Sequence, residues 1–215
     1  MSRTAADWVG AAGRPTIGGL VHVGARTKVY GKERVPLEGG LVVASNHFSW
    51  IDPVALGWAC PRTIYYMAKI EAHRVPGLGQ LIRAFGTFSV RRGESDREAV
   101  RMMREIVRTG WALGLFAEGT RQRSGVPGEV QPGAAMVALQ ENVPVIPVAI
   151  YGSHNWRIGR PVSLAWGEPI LFEGLPKGGK GYKEASAILQ AKIRELYDFL
   201  VEMHELGRPD ATPPP

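Results

Sequence analysis

Short apolar runs alternate with amphipathic segments along most of the chain. Apolar runs at residues 41–44, 63–67, 87–90, 112–116, 143–151 and 164–166 read as strands. Residues 20–23 and 28–30 read as one bent or interrupted strand. Helical periodicity falls between these runs, at residues 53–59, 78–85, 95–108, 133–140 and 183–204. The segment 95–108 has the clearest pattern: Ser95 and Glu98 stand at capping-box spacing, and Ala99, Val100, Met103, Ile106 and Val107 share one face.

Alternation of strand and helix predicts an α/β fold, a single domain over residues 1–206 with a largely parallel sheet flanked by helices. Residues 207–215, rich in proline, cannot sustain a helix and are expected to form a flexible C-terminal tail. The glycine-rich stretch from Gly174 to Lys180 matches the start of a P-loop, but Gly181 stands where the magnesium-binding Ser or Thr belongs, so a solvated loop is expected.

Parallel sheets bind ligands beyond the carboxyl ends of their strands. Two strand ends carry chemistry here. The run 41–44 leads into Asn46-His47-Phe48-Ser49-Trp50-Ile51-Asp52-Pro53, which puts an imidazole and a carboxylate at one strand-to-helix turn. A carboxylate so placed holds one ring nitrogen and leaves the other free as a base. Asp52 before Pro53 also fits a helix N-cap, a role that does not exclude the first. The second end is Phe116-Ala117-Glu118-Gly119-Thr120-Arg121.

Composition narrows the field. A chain of 215 residues, 45% of them apolar, buries one substantial core. The net charge of +6 and pI near 9.7 point to an anionic partner: nucleic acid, an anionic membrane surface or a phosphorylated substrate. Zinc-finger spacing, RNP-like aromatic strands and long basic runs are missing, so nucleic acid is not expected. Cys60 is the single cysteine, which rules out an internal disulfide and fits a reducing cytosol. No apolar run approaches the roughly 18–20 residues that span a bilayer, and the first residues lack the pattern of a signal peptide. Without His-Glu-x-x-His or Gly-x-Ser-x-Gly, neither a metal nor a serine-nucleophile elbow is expected.

The segment from Asn46 to Pro53, Asn-His-x-Ser-x-x-Asp-Pro, resembles the first motif of the glycerolipid acyltransferases, a family that includes the 1-acylglycerol-3-phosphate acyltransferases. Three more blocks follow in the family's order. Gly86-Thr87-Phe88-Ser89-Val90-Arg91-Arg92-Gly93 resembles the second, with Arg92 matching the arginine that contacts the acceptor's phosphate. Residues 116–121 resemble the third, and Val143-Pro144-Val145-Ile146-Pro147-Val148 the fourth. The likeness runs from about Val29 to Val148. Departures are Arg91 at a commonly acidic position, Ala117 for proline, Gln122 for a small polar residue, and Gln131 where the family often has lysine.

The resemblance implies an O-acyltransferase of phospholipid biosynthesis. It would move a fatty acyl group from acyl-CoA or acyl carrier protein to a hydroxyl of a lysophosphatidic-acid-like acceptor, the thioester being a substrate and no bound cofactor or metal being needed. His47 and Asp52 are implied as catalytic, base and orienting carboxylate. Arg92 and Arg121 would grip the phosphate, Glu118 would hold glycerol hydroxyls or an arginine, and Gly119 would let the backbone approach. Thr120 completes that substrate-binding block, and Pro147 is a candidate for supporting the acyl site. The protein is expected at the cytoplasmic side of a membrane, held peripherally by its anionic surface. Glycerol 3-phosphate, another lysophospholipid or a glycolipid would suit the same chemistry as acceptor. Alternatives are a hydrolase with the same base, or a non-catalytic lipid- or nucleic-acid-binding module on this scaffold.

Overall fold

The strand β2 (Leu41–Ser45) is buried at every residue, as a strand covered on both faces must be. In the computed structural model, which describes residues 19–69, 87–90 and 96–215, it lies at the centre of a seven-stranded sheet. The other strands are β1 (Lys28–Tyr30), β3 (Ile64–Lys69), β4 (Thr87–Val90), β5 (Ala112–Phe116), β6 (Val145–Tyr151) and β7 (Ser163–Trp166). Their order is β1-β7-β6-β2-β5-β3-β4. Every neighbouring pair is parallel except β6 with β7, so the expected α/β domain with a largely parallel sheet is what the chain forms.

Among the described residues the helices α1 (Asp52–Ala59), α2 (Asp96–Arg108), α3 (Gly133–Glu141) and α4 (Gly179–Glu205) flank it. Side-chain alternation along the strands divides the core. Leu41 and Val43 of β2 and Ile146, Val148 and Ile150 of β6 pack with Ala55, Leu56 and Ala59 of α1. Val42 and Ala44 face the other way, onto Met103 and Val107 of α2, Ala135 and Ala138 of α3, and Leu189 and Ile193 of α4. Because β2, β5 and β6 run parallel, their carboxyl ends open at one edge, and the turns that follow them meet there.

The structure departs from the sequence pattern in four places. Residues 19–24 are helical, not strand: the Ala25 amide reaches Val21 O at 2.7 Å, Val21 packs on the core, and Leu20 and Val23 face outward. A left-handed Arg26 then separates this segment from β1. Strand β6 starts at Val145 rather than Val143, after Pro144, which has no amide to give a ladder. Helix α4 starts at Gly179, inside the glycine-rich stretch, and Gly181 is needed because a Cβ there would collide with the carbonyl of Pro176.

The fourth is the C-terminal segment. Composition reads 207–215 as loose, yet Arg34 donates to the carbonyls of Pro213 and Pro214 at 2.7 Å each, and Lys28 pairs with Asp210 at 2.8 Å. Pro213 is buried against Gly31. Proline cannot build a helix, but its carbonyls remain good acceptors, and two cations of the β1 region use them and their neighbours. The helix expected at 78–85 and the cap residue Ser95 lie outside the described residues.

Candidate active site

Asn46 fixes where the chain leaves the sheet. The ladder of β2 with β6 ends at Ser45 opposite Val148, and the Asn46 side chain continues it: Nδ2 donates to Ile150 O at 2.9 Å while Oδ1 accepts the Ile150 amide at 2.8 Å. His47 follows. Its ring lies on Phe116 at the end of β5, with centroids 3.8 Å apart and planes 17° apart. Tyr66 lies nearly parallel to the same Phe116 ring, with centroids 6.1 Å apart. Flat packing of this kind limits rotation of the imidazole about its own bonds.

Asp52 sets the ring's remaining freedom. His47 Nδ1 is 2.8 Å from Asp52 Oδ2, and the same oxygen accepts the amides of Phe48 at 2.6 Å and Ser49 at 2.7 Å. The carboxyl is fully buried, and Oδ2 already accepts two N–H donors, which leaves His47 Nδ1 to donate the third. Nε2, the acceptor nitrogen of that tautomer, has no hydrogen-bond partner among the described residues. Asp52 is not the N-cap that Asp-Pro suggested. Helix α1 begins at Asp52 itself, Ile51 holds the cap position, and the side chain turns back over the loop instead of down onto the helix.

The third motif block braces this turn. Glu118 is buried; its Oε2 accepts the His47 amide at 2.8 Å and its Oε1 the Gly128 amide at 2.7 Å. Burial pushes its carboxyl above the ordinary range, opposed by those two amides and by His47. The backbones interlock too, with the Ala117 amide on Ser45 O at 2.8 Å and the Gln122 amide on His47 O at 2.8 Å. Gly119 turns between them at φ +71, where a side chain would be strained.

Glu118 therefore meets main-chain amides, where the resemblance had implied glycerol hydroxyls or an arginine. Gly119, Thr120 and Arg121 stand exposed at the rim of the His47 turn, and Arg121 has no ion pair among the described residues. Arg92 lies outside the described residues. Pro147 is buried in β6 on the face that meets α4, with Cγ against Gly167, so its packing is with the core rather than with the His47 edge. The sequence reading missed Asn46 as a bridge and Phe116 as the platform for His47; both stand inside the motifs, where their side-chain roles depend on strand neighbours. Among the described residues no group of three His, Cys, Asp or Glu side chains gathers as a metal would require.

A buried carboxylate that orients an imidazole, with the far nitrogen free beside an exposed cationic rim, is equipped to take a proton from a hydroxyl near an anionic group. The acyltransferase family model matches residues 26–151, which spans all four motif blocks, and the chain belongs to that family. It is an O-acyltransferase. The 1-acyl-sn-glycerol-3-phosphate acyltransferase of Bacillus subtilis is 30% identical over 82% of this chain and 90% of its own length. That of Borreliella burgdorferi is 29% identical over 63% of this chain, which spans only 55% of that longer protein. Among solved structures, the 1-acyl-sn-glycerophosphate acyltransferase of Thermotoga maritima superposes with a TM-score of 0.67, covering 96% of this chain and 81% of its own, at 22% identity; it shares the fold.

Proposed function

We propose that the protein acylates the free hydroxyl of a 1-acyl-sn-glycerol-3-phosphate, using a fatty acyl thioester of coenzyme A or acyl carrier protein as donor. The observation that carries this reading is the His47–Asp52 pair, with Nδ1 held at 2.8 Å and Nε2 free. As the acceptor oxygen attacks the thioester carbonyl, Nε2 takes the hydroxyl proton and the C–O bond forms. Collapse of the tetrahedral intermediate breaks the C–S bond, and the imidazolium returns the proton to the departing sulfur. The products are the diacyl phosphate ester and a free thiol, with no covalent enzyme intermediate. Asp52 stabilises the imidazolium. General-base help of this kind contributes about 10²–10⁴-fold, and holding the two substrates together supplies much of the remainder. The names of the relatives support the acceptor, and the exposed Arg121 supports a phosphate at the rim, with Arg92 as its expected partner.

The same reading makes the protein peripheral to the cytoplasmic side of a membrane, where its acceptor resides. An apolar surface beside the site supports this. Leu20, Val23, Trp50 and Ile158 are 74%, 74%, 64% and 85% exposed. They form one patch, because Trp156 packs edge-on against Trp50 at 6.1 Å and the Gly159 amide reaches Gly24 O at 2.7 Å. Arg26, Arg157 and Arg160 are exposed and stand within three residues of Val23 or Ile158 in sequence. Among the described residues no helix is long and apolar enough to cross a membrane.

Purified protein offered 1-acyl-sn-glycerol-3-phosphate with each donor in turn should form the diacyl product, identified by mass spectrometry. Product from neither donor, in protein whose folding is verified, would sink the reading.

A further inference from the structure

Gln190 of α4 pairs with the loop between β5 and α3 much as a strand would. Its Nε2 donates to Gly128 O at 2.9 Å, and its Oε1 accepts the Val130 amide at 2.6 Å. The amide of Gly128 points the other way, to Glu118 Oε1 at 2.7 Å, and Glu118 Oε2 takes the amide of His47 at 2.8 Å. Four hydrogen bonds thus connect the middle of α4 to the main chain from which the imidazole projects.

We propose that Gln190 is a positioning residue of acyl transfer: it fixes Gly128 through its carbonyl, the amide of the same residue holds Glu118, and Glu118 holds the backbone of His47. This rests on His47 acting as the base. The geometry separates Gln190 from Tyr197 on the same helix. Tyr197 donates to Gly125 O at 2.6 Å and restrains the loop three residues away, whereas Arg194 donates at 3.0 Å to Pro127 O, the carbonyl of the peptide whose N–H meets Glu118, and so backs Gln190 from the other side of Gly128. Glu118 is buried, and a shifted Gly128 leaves one of its oxygens unpaired in a poorly solvated place. The carboxylate then settles elsewhere and takes the His47 amide with it. Small displacements of a reacting group are expensive in rate, while the rim residues that meet substrate are untouched.

The test uses the full chain in the acyl-transfer assay. Gln190→Met keeps side-chain length and helix preference while removing both bonds. Its turnover should fall about tenfold, with KM for donor and acceptor within about twofold of wild type. In a Glu118→Gln background the same change should add no further loss, because the route through Glu118 is already cut. Tyr197→Phe, which frees Gly125 O while keeping the ring, should lower the melting temperature and leave turnover within about twofold. Turnover of Gln190→Met close to wild type overturns the proposal, and so do losses that multiply in the double variant. Should Gln190→Met fail to fold, Gln190→Glu keeps the acceptor for Val130, removes the donor to Gly128, and must show the same turnover loss. His47→Ala in the same assay tests the underlying reading separately: an active His47→Ala sinks the base, whatever Gln190 does.

Discussion

Asp52 reaches His47 with the same oxygen that closes the turn between them: Oδ2 takes His47 Nδ1 at 2.8 Å and the amides of Phe48 and Ser49, while Oδ1 is buried without a hydrogen bond among the described residues. One group both shapes the loop and orients the imidazole, so substitutions must be chosen to separate the two. Asn can place its carbonyl where Oδ2 stands and keep all three acceptor contacts. Its amino group then occupies the Oδ1 position unpaired, which costs roughly 1–3 kcal/mol of stability. Asp52→Asn should therefore fold with a modestly lower melting temperature and lose about 10²–10⁴-fold in turnover, since no charge remains to stabilise the imidazolium. Turnover near wild type would reduce Asp52 to a turn-forming residue.

Arg121 stands exposed at the rim with no carboxylate partner among the described residues, so its charge is available to an incoming anion. Arg121→Ala should raise KM for the phosphate-bearing acceptor about tenfold to a hundredfold, the loss of a charge-assisted contact of roughly 1.5–3 kcal/mol. Donor KM should hardly move. Arg92→Ala is expected to behave alike. Acceptor kinetics unaltered in both variants would remove the arginines from the phosphate site.

Sequence made the strands of the central sheet legible because they are short, apolar and bounded by turn residues, and it made His47 and Asp52 legible through their spacing at a strand end. What it hid was set by distant contacts. The segment 20–23 looks like a strand because four residues are too few to separate two periods, and only the docking of Val21 decides it. Glu118 was read as facing substrate, since nothing local reveals that the amides of His47 and Gly128 come to meet it. Gln190 is one polar residue on a long amphipathic helix, and its partners lie about sixty residues away in sequence.

The tail offers a direct check of one such contact. Removing residues 209–215 takes two carbonyl acceptors from Arg34, which keeps Trp166 O and Glu168, and uncovers the surface that Pro213 buries. A loss of about 1–3 kcal/mol is expected. For a domain of this size that lowers the melting temperature by roughly 2–4 °C per kcal/mol. A truncated chain that melts with the full one would show that these contacts contribute nothing in solution.

His204 should leave a mark on the pH dependence of stability. It lies between the Tyr151 ring at 4.5 Å and Ser163 Oγ at 2.8 Å, and burial, helped by Arg208, pulls its pKa from 6.5 down to about 4. The unfolded chain therefore takes up this proton first as pH falls. The contribution of neutral His204 is complete above pH 6.5, declines between 6.5 and about 4, and is flat below. Denaturant midpoints of wild type and His204→Asn across that window isolate it from the other histidines. Wild type should lose more stability than the variant between pH 7 and 5; parallel curves would contradict the assignment.

Membrane attachment makes the last prediction, because the proposed surface has two physically distinct parts. Arg26, Arg157 and Arg160 attract anionic headgroups over a range of about 8–10 Å at physiological to 0.1 M salt, so their share fades as salt rises. Ile158, Trp50, Leu20 and Val23 act only once inserted, and their share persists in salt. Sedimentation with vesicles should accordingly show binding that rises with anionic lipid, falls with salt, and keeps a residue at high salt. Ile158→Asp removes the burial of one large aliphatic side chain, about 1.5–3 kcal/mol, and should cut that residue roughly tenfold or more, while the carboxylate it adds lowers the salt slope slightly. Arg157→Ala with Arg160→Ala should flatten the slope and spare the residue. Activity on a dispersed, short-chain acceptor should be unchanged in Ile158→Asp, since Ile158 has no part in the His47 turn. Binding of Ile158→Asp equal to wild type at high salt would move the insertion surface away from this patch, and failure to bind anionic vesicles under any condition would end the membrane claim while leaving acyl transfer to be judged by its own assay.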